Sequence, residues 1–193
     1  MRELATPHGR CVVVELADAD IDAALARLPD AERARAAQLT PTRRRDFVAG
    51  RTALHALVGD AAIEASDRGA PLVAGWTCSI SHKDTHAVAL CSPAGDGFVG
   101  VDLEHARAPR IDISARILTP NEPRAIGAAL TRVFAIKEAI YKAVDPIVQR
   151  YVRFTEVELD ADDRVASALP ASIDAWSTEL DGYWIATARA RPR

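Results

Sequence analysis

Hydrophobic and polar positions along the first half of the chain predict one strand, two helical regions and a hairpin. The valine-rich segment Cys11–Leu16 is short and apolar, as expected of a strand. From Asp20 to Gln38 the apolar positions follow helical spacing. A second helical pattern begins near Thr42, which we expect to cap it, and ends at Gly59. The runs CSISH and HAVALC, separated by three residues, then predict an antiparallel hairpin.

The turn-rich cluster SPAGDG, residues 92–97, separates two halves, which we assign to residues 1–95 and 96–193. After the strand GFVGVDLEH we expect a short helix around residues 112–118 and a longer one from Arg124 or Thr131 to Ala143. Asp145-Pro146 is expected to end the longer helix, because the residue before a proline disfavours helical geometry. Four alternating runs follow, with turns that include Asp181-Gly182. Helices combined with antiparallel strands in each half predict an α+β fold.

The strand GFVGVDLEH carries two acidic residues on one face. Side chains of a strand alternate, so Val99, Val101 and Leu103 share the apolar face. Asp102 and Glu104 then share the opposite face, roughly 7 Å apart. Two carboxylates at that distance repel each other unless solvent or a cation intervenes. We expect this acidic face to be open to solvent.

The helical stretch FAIKEAIYKA, residues 134–143, carries a third carboxylate. Its polar side includes Glu138 and Lys142, and Ile136 and Ile140 lie on an apolar stripe. Taken alone, Glu138 and Lys142 are explained by a surface ion pair between residues four apart, worth about 0.3–0.5 kcal/mol.

The predicted hairpin contributes a further polar group. Ser79 and Ser81 share one face of its first strand, with Ile80 and His82 on the other. His82 is either an ordinary turn residue or a hydrogen-bond donor to a phosphate.

Together these residues indicate a metal-assisted reaction at a phosphate. Asp102, Glu104 and Glu138 offer the oxygen ligands that Mg²⁺ takes in proteins. Lys137, Lys142, His82 and the upstream arginines would then meet the anionic ligand that such a metal implies. Phosphoryl transfer or diphosphate cleavage is the chemistry that fits, with a carboxylate or a bound water accepting the proton of the nucleophile.

Composition narrows the classes of function. The chain has 193 residues and a formal net charge of −3, from 24 basic and 27 acidic residues, which argues against a nucleic-acid binder. Cys11, Cys78 and Cys91 lie in apolar runs, and we expect reduced, buried thiols. The N-terminus lacks an apolar core, and no apolar run approaches the ~20 residues of a membrane span. We therefore expect a cytoplasmic protein with no membrane partner.

Three motifs resemble those of the 4′-phosphopantetheinyl transferases. GVDLE, residues 100–104, and FAIKEAIYK, residues 134–142, resemble the paired signature of that family, and CSISHKDTHAVAL resembles its Ser-His hairpin. The resemblance extends from about Arg51 to Lys142 and is to the longer branch, which activates siderophore and other peptide or polyketide synthetases. It implies a monomer built as a pseudo-dimer of two similar halves, each an antiparallel sheet packed with helices, with the active site between them.

The resemblance also implies roles for the acidic residues and for Lys142. Asp102, Glu104 and Glu138 would hold Mg²⁺, with Mn²⁺ as an alternative, against the diphosphate of coenzyme A (CoA). Glu138, or a water that it holds, would be the general base, and Lys142 would stabilise charge on the diphosphate. Glu138, Lys142 and His82 form the implied catalytic set.

Further residues match positions that bind CoA in the family. Ser81 and His82 match residues that contact the CoA phosphates. Arg51, together with Thr52, matches a position that binds the nucleotide. Arg68 belongs to a loop that resembles the one around the adenine, although it is displaced from the usual basic position.

Some positions of the family are matched less clearly. Glu122 matches a linker glutamate for which proton handling is one role. The early lysines that bind the 3′-phosphate in relatives have no clear match. Either a solvated helix face lies there, or arginines of this region replace the lysines: Arg33, Arg35 or the cluster Arg43–Arg45.

The implied reaction moves 4′-phosphopantetheine from CoA to a serine of an apo acyl or peptidyl carrier protein, giving holo carrier protein and 3′,5′-ADP. Carrier proteins are generally acidic, so Arg150, Arg153 and the cluster Arg43–Arg45 are candidates for the docking face. The segment between Glu122 and Phe134 is short, and the carrier type stays open. The alternatives are a metal-dependent nuclease or phosphodiesterase, a carrier-binding protein without catalysis, and acidic residues that are merely solvated.

Overall fold

In the computed structural model, which describes residues 1–193, the first half of the chain forms an antiparallel sheet packed against a long helix. The six strands are β1 (Arg2–Thr6), β2 (Gly9–Glu15), β3 (Glu64–Ala65), β4 (Pro71–Val73), β5 (Trp76–Lys83) and β6 (His86–Pro93). Their order in the sheet is β1-β2-β6-β5-β4-β3. The helices are α1 (Ile21–Ala26), α2 (Asp30–Ala37) and α3 (Pro41–Val58), and α3 packs on β2, β5 and β6.

Two details of these helices differ from the prediction. The helical region from Asp20 to Gln38 is divided at Pro29, which lies between α1 and α2. Thr42 does not cap α3. The capping position is Thr40, and Pro41 starts the helix, where its missing N–H would have had no partner in the helix. The predicted end at Gly59 is confirmed, with a positive φ of 62°.

The second half contains a smaller sheet and the longest helix. Its elements are β7 (Phe98–His105), α4 (Ser114–Ile117), α5 (Ala128–Val148), β8 (Val157–Leu159), β9 (Val165–Ser167), β10 (Ala171–Leu180) and β11 (Tyr183–Pro192). The sheet order is β10-β11-β7, all antiparallel, and β8 pairs with β9 separately. Helix α5 packs across β7, β10 and β11. The α+β class with antiparallel sheets is therefore confirmed.

Helix α5 continues through Pro146, so the prediction that Asp145-Pro146 ends it is wrong. Pro146 lies in the last turn, and its missing N–H removes one backbone hydrogen bond to the preceding turn. Beyond it, Ile147 and Val148 pack against the core of the second half, and their burial favours another turn. The helix ends at Gln149, which has a positive φ of 50°.

A shared apolar cluster joins the two halves. Each half has its own core, and a third group of buried side chains comes from both. Val88 and Leu90 of β6 contribute from the first half, and Val101 and Leu103 of β7 from the second. Thus β7 is packed on both faces. The division at residue 95 stays a prediction.

All three cysteines are free and buried, as predicted. The structure adds that Cys78 and Cys91 are cross-strand partners in β5 and β6, with their sulfur atoms 2.7 Å apart. None of the helices combines the length and hydropathy that a membrane crossing requires.

Candidate active site

A glycine in β7 sets the distance between the acidic strand and α5. Gly100 lies on the same face of β7 as Asp102 and Glu104. A Cβ atom at Gly100 would overlap the carbonyl oxygen of Ala139 and lie 2.8 Å from the backbone nitrogen of Ala143. The backbone of α5 therefore lies directly against β7. This covers the face that we expected to be open to solvent, and that expectation is wrong for Asp102, which is only 5% exposed.

Asp102 lies at the junction of three elements. Its Oδ1 accepts hydrogen bonds from Ser81 Oγ of β5 at 2.9 Å and from Lys142 Nζ of α5 at 2.7 Å. Its Oδ2 is buried and has no hydrogen-bond partner. A buried carboxylate oxygen without a partner is costly unless a cation or a donor completes its surroundings.

Lys142 is bonded across the interface and not along its own helix. Besides Asp102, its ammonium group donates to the carbonyl oxygen of Val101 at 2.9 Å. No ion pair forms between Glu138 and Lys142, so the interpretation of these residues as a helical surface pair is wrong. The reason is that the interface offers Lys142 a buried carboxylate and a carbonyl.

Glu138 is half-buried and has neither a hydrogen-bond partner nor an ion-pair partner. Its pKa is raised above the ordinary glutamate value because burial disfavours the charge. The negative charges of Asp102 and Glu104 raise the pKa further, and Lys142 lowers it in part. Glu138 is therefore an unpaired carboxylate that favours a proton or a cation.

Glu104 is bound by a residue that the sequence analysis missed. Lys83, the last residue of β5, lies 2.6 Å from its carboxylate. The only signal in the sequence is that Lys83 follows the polar run Ser79–His82 at the hairpin end. Lys83 neutralises Glu104 much as Lys142 neutralises Asp102.

The three carboxylates fit a divalent cation by their chemistry. As the side chains lie, no group of three or more His, Cys, Asp or Glu residues forms a ligand cluster. The buried Oδ2 of Asp102 without a partner, and the unpaired carboxylate of Glu138, nevertheless supply hard oxygen donors within one repelling acidic group. Asp102, Glu104 and Glu138 could therefore hold Mg²⁺ once the ammonium groups of Lys83 and Lys142 move away from these carboxylates.

A groove of about 1280 Å³ runs between α3 and α5 and includes Lys142 in its wall. Residues of β4 and β5 and the loop of residues 65–70 also line it. Four of the predicted site residues line it, namely Arg51, Arg68, His82 and Lys142. The groove is large enough for a nucleotide-sized ligand.

Comparison with known protein families decides the assignment. Residues 98–188 match the model of the 4′-phosphopantetheinyl transferase superfamily, and residues 31–92 match that of the 4′-phosphopantetheinyl transferase N-terminal domain. The chain belongs to the 4′-phosphopantetheinyl transferase superfamily. It is therefore a transferase by family, and the family acts on carrier proteins with CoA and a divalent metal. No curated protein matches the chain.

Of the two residues that are expected to bind the nucleotide, only Arg51 lines the groove. Arg51 is 7% exposed, donates to the carbonyl oxygen of Ile63 at 3.2 Å and lies 3.5 Å from Glu32. Thr52 is not brought to the groove. Its hydroxyl donates to the carbonyl oxygen of Val48, and the residue lines a separate depression beside His55.

The other expected phosphate contacts have different surroundings. His82 is half-exposed in the groove, with Nδ1 at 3.7 Å from Asp46. Ser81 donates to Asp102, so in this structure it orients a carboxylate.

Lys137 and Glu122 lie away from the groove, so the expectation that Lys137 meets an anionic ligand is wrong. The Lys137 ammonium is 2.7 Å from the Glu122 carboxylate, and their side chains are 1% and 2% exposed. Lys137 also donates to the carbonyl oxygens of Ile117 and Val157, at 2.5 and 2.8 Å. Both charges are fully bonded inside the protein, which argues for a structural role. The segment between β7 and α5, residues 106–127, folds over α5 at this point, and no periodicity in the sequence indicates it.

The arginines that could replace the lysines that bind the 3′-phosphate in relatives differ in whether they have a carboxylate partner. Arg44 and Arg45 are bound to Asp22 and Asp18, and Arg33 is bound to Asp30. Arg35 and Arg43 are exposed, line the groove and have no carboxylate within 4 Å. These two guanidinium groups are available to an anion.

Proposed function

We propose that the chain catalyses Mg²⁺-dependent transfer of 4′-phosphopantetheine from CoA to a serine of an apo carrier protein, giving holo carrier protein and 3′,5′-ADP. The observation that carries the proposal is the arrangement of Asp102, Glu138 and Lys142 where β7 meets α5. One carboxylate oxygen there lacks a partner, one carboxylate is unpaired, and a lysine beside them lines a nucleotide-sized groove.

The groove supports CoA as the donor. In this proposal the diphosphate lies beside Lys142 and His82. The nucleotide extends along the groove between α3 and the loop of residues 65–70. Arg35 and Arg43, which have no carboxylate partner, are the residues that we assign to the nucleotide phosphate.

The metal would be held by Asp102, Glu104 and Glu138. Mg²⁺, when bound, neutralises charge on the diphosphate oxygens. Mn²⁺ prefers the same oxygen ligands and is an alternative. Ser81 holds Oδ1 of Asp102 and thereby orients this carboxylate.

Glu138 and Lys142 then handle the proton and the developing charge. The carrier serine hydroxyl loses its proton to a carboxylate oxygen of Glu138, or to a water that this carboxylate holds, as its oxygen attacks the β-phosphorus. The raised pKa of Glu138 makes it a better proton acceptor than an ordinary glutamate. Lys142 donates to the phosphate of 3′,5′-ADP as the bond between that phosphate and phosphopantetheine breaks.

The carrier protein is proposed to dock on the segment between β7 and α5. Four arginines there are exposed and have no carboxylate within 4 Å, and they are Arg107, Arg110, Arg116 and Arg124. Ile111 and Ile126, in the same segment, are 76% and 70% exposed. A basic surface with apolar side chains fits an acidic carrier surface.

The structure alters the docking candidates taken from the sequence. Arg150 is bound to Glu156 at 2.7 Å, which makes it a weaker candidate. The guanidinium groups of Arg153 and Arg43 have no carboxylate within 4 Å, although the backbone N–H of Arg153 donates to Glu156.

The proposal includes the assembly and the location of the protein. We infer that the chain acts as a monomer in the cytoplasm. The active site would lie between residues 1–95 and residues 96–193. These features are typical of the longer branch of the family.

Mass spectrometry tests the function directly. The protein is incubated with CoA, Mg²⁺ and apo acyl or peptidyl carrier proteins, and the carrier should gain the mass of one phosphopantetheine. Glu138→Gln should slow this transfer by about 10²- to 10⁴-fold. Glu179→Gln is the matched control. Glu179 is an exposed residue of β10, and its substitution should leave the rate unchanged.

The remaining outcomes separate the alternatives. If the folded protein modifies none of several carriers, the proposal is wrong. Tight binding of CoA and carrier without transfer would indicate a non-catalytic binding protein. Cleavage of DNA or of a phosphodiester with Mg²⁺ would indicate the nuclease class.

A further inference from the structure

Arg68 lies in the loop of residues 65–70, which is held together by hydrogen bonds between residues of the loop. The backbone N–H of Ser66 donates to the carbonyl oxygen of Ala70, and that of Gly69 donates to the carbonyl oxygen of Ser66, both at 2.9 Å. The N–H of Ala70 also donates to Ser66 Oγ at 2.9 Å. A positive φ of 85° at Gly69 completes the turn. The loop backbone is therefore constrained, and the Arg68 side chain is the part that can change partner.

That side chain is bonded to α5. Its Nε donates to Oδ2 of Asp145 at 2.7 Å, and its Nη2 donates to Oδ1 at 2.5 Å. The Asp145 side chain is 15% exposed and that of Arg68 is 42% exposed. Both residues line the groove. The only arginine of this loop is thus held by a carboxylate of α5, in the bidentate geometry that a phosphate would also use.

Asp145 lies on the face of α5 that carries the reacting groups. Glu138, Lys142 and Asp145 are spaced by four and then three residues, so they follow one another along one side of the helix. Seven residues of α-helix correspond to roughly 10 Å. In the proposed function the diphosphate lies at the Glu138 end. An anion at Arg68 would then be the other phosphate of CoA, the 3′-phosphate, which Arg68 would share with Arg35 and Arg43 of the same groove.

We propose that Asp145 is an internal competitor for the CoA 3′-phosphate at Arg68, and that it sets how tightly the groove holds the nucleotide. This inference rests on the proposed function. Arg35 and Arg43 have no carboxylate to release, whereas Arg68 must exchange Asp145 for the ligand. After the exchange the Asp145 carboxylate is left unpaired beside a phosphate of like charge, and this repulsion opposes binding.

The test is the affinity of Asp145→Asn for CoA and for dephospho-CoA, measured by calorimetry without carrier. The amide keeps the shape of the side chain and removes its charge. We expect CoA to bind about three- to tenfold more tightly than to the wild type, with dephospho-CoA unchanged. Asp145→Ser should act in the same direction, and thermal melting checks that both variants fold.

A double-mutant comparison shows whether the effect passes through Arg68. Arg68→Gln should weaken the binding of CoA and not that of dephospho-CoA. Adding Asp145→Asn to it should give a smaller gain than Asp145→Asn gives in the wild type, because only the repulsion from the phosphate is then relieved. Asp181→Asn is the matched control. It removes one carboxylate of the Arg2–Asp181 pair, which also joins the two halves, and it should leave both affinities unchanged.

Three results would overturn the inference: CoA bound no more tightly by Asp145→Asn, an equal gain for both ligands, or a gain that is as large without Arg68 as with it. In each of these cases the wild type still binds CoA, so the proposed function stands. If the folded wild type binds neither ligand, the proposed function fails, and this inference fails with it.

Discussion

Lys142 of α5 donates a 2.7 Å hydrogen bond to Asp102 of β7, although Glu138 is one turn away on its own helix. The bond joins the acidic strand to the helix that carries the third carboxylate. It also neutralises a carboxylate that is almost fully buried. The resting site therefore holds its own cation at the position where the metal is proposed to bind.

We expect Lys142→Met to destabilise the protein and to strengthen its response to a metal. Asp102 keeps only the bond from Ser81, which should lower the free energy of unfolding by about 1–3 kcal/mol. Without the competing ammonium, Mn²⁺ should raise the melting temperature more than it does in the wild type. Transfer to the carrier should fall by about 10²- to 10³-fold. Calorimetric melting with and without Mn²⁺ measures the first effects, and Lys142→Arg should recover part of the stability.

Gly100→Ala should separate α5 from β7. The new Cβ would overlap the carbonyl oxygen of Ala139, and backbone atoms cannot move aside as a side chain can. We expect a loss of about 3 kcal/mol in the free energy of unfolding, measured by urea denaturation, together with loss of transfer. Gly50→Ala is the comparison. Its Cβ would lie 2.9 Å from the Cγ2 methyl of Ile80, a side-chain atom and not backbone, and a helix favours alanine, so the loss of stability should be smaller. A fully stable Gly100→Ala protein would contradict the close packing.

Lys137→Met should reduce stability and leave the binding of CoA unchanged. The substitution strands the Glu122 charge in the interior, which costs about 3–5 kcal/mol. Denaturation measures that loss, and calorimetry at low temperature measures the affinity for CoA. The double variant Lys137→Met with Glu122→Gln should recover part of the stability because no buried charge is left unpaired. A weaker affinity for CoA would instead support the contact that the sequence suggested.

His8 should make the protein less stable in mild acid. The pKa of His8 is lowered to about 4, first by burial and then by the charge of Arg189. Between that value and the ordinary 6.5 the unfolded chain binds the proton and the folded chain does not, so stability falls as the pH drops through this range. From pH 7 to pH 5 the His8 contribution should fall by about 2 kcal/mol.

The comparison with His8→Gln isolates this contribution. Glutamine can still bond to Thr187, which lies 2.8 Å from Nδ1 of His8. The difference in the free energy of unfolding between the wild type and His8→Gln should therefore depend on pH, with the wild type losing more at pH 5. A difference that is the same at pH 7 and pH 5 would contradict the buried, neutral state of His8.

The sequence by itself determined the α+β class, most strands and helices, and the spacing of the residues that we propose to carry the chemistry. These properties depend on local spacing. Alternation in GFVGVDLEH separates Asp102 from Val101, and helical spacing places Glu138 and Lys142 on one side of α5. The family motifs lie within these same elements, and for this reason they can be recognised from the sequence without a structure.

Only the tertiary structure decided what each of these faces touches. The close approach at Gly100 buries Asp102 and gives Lys142 a partner on β7. Glu138 is left unpaired. The segment between β7 and α5 folds over Lys137 and buries it, and the loop of residues 65–70 brings Arg68 to Asp145 of α5. The physical reason is that periodicity states which residues share a face. The partner of that face comes from residues distant in the chain, and the packing of whole elements selects it.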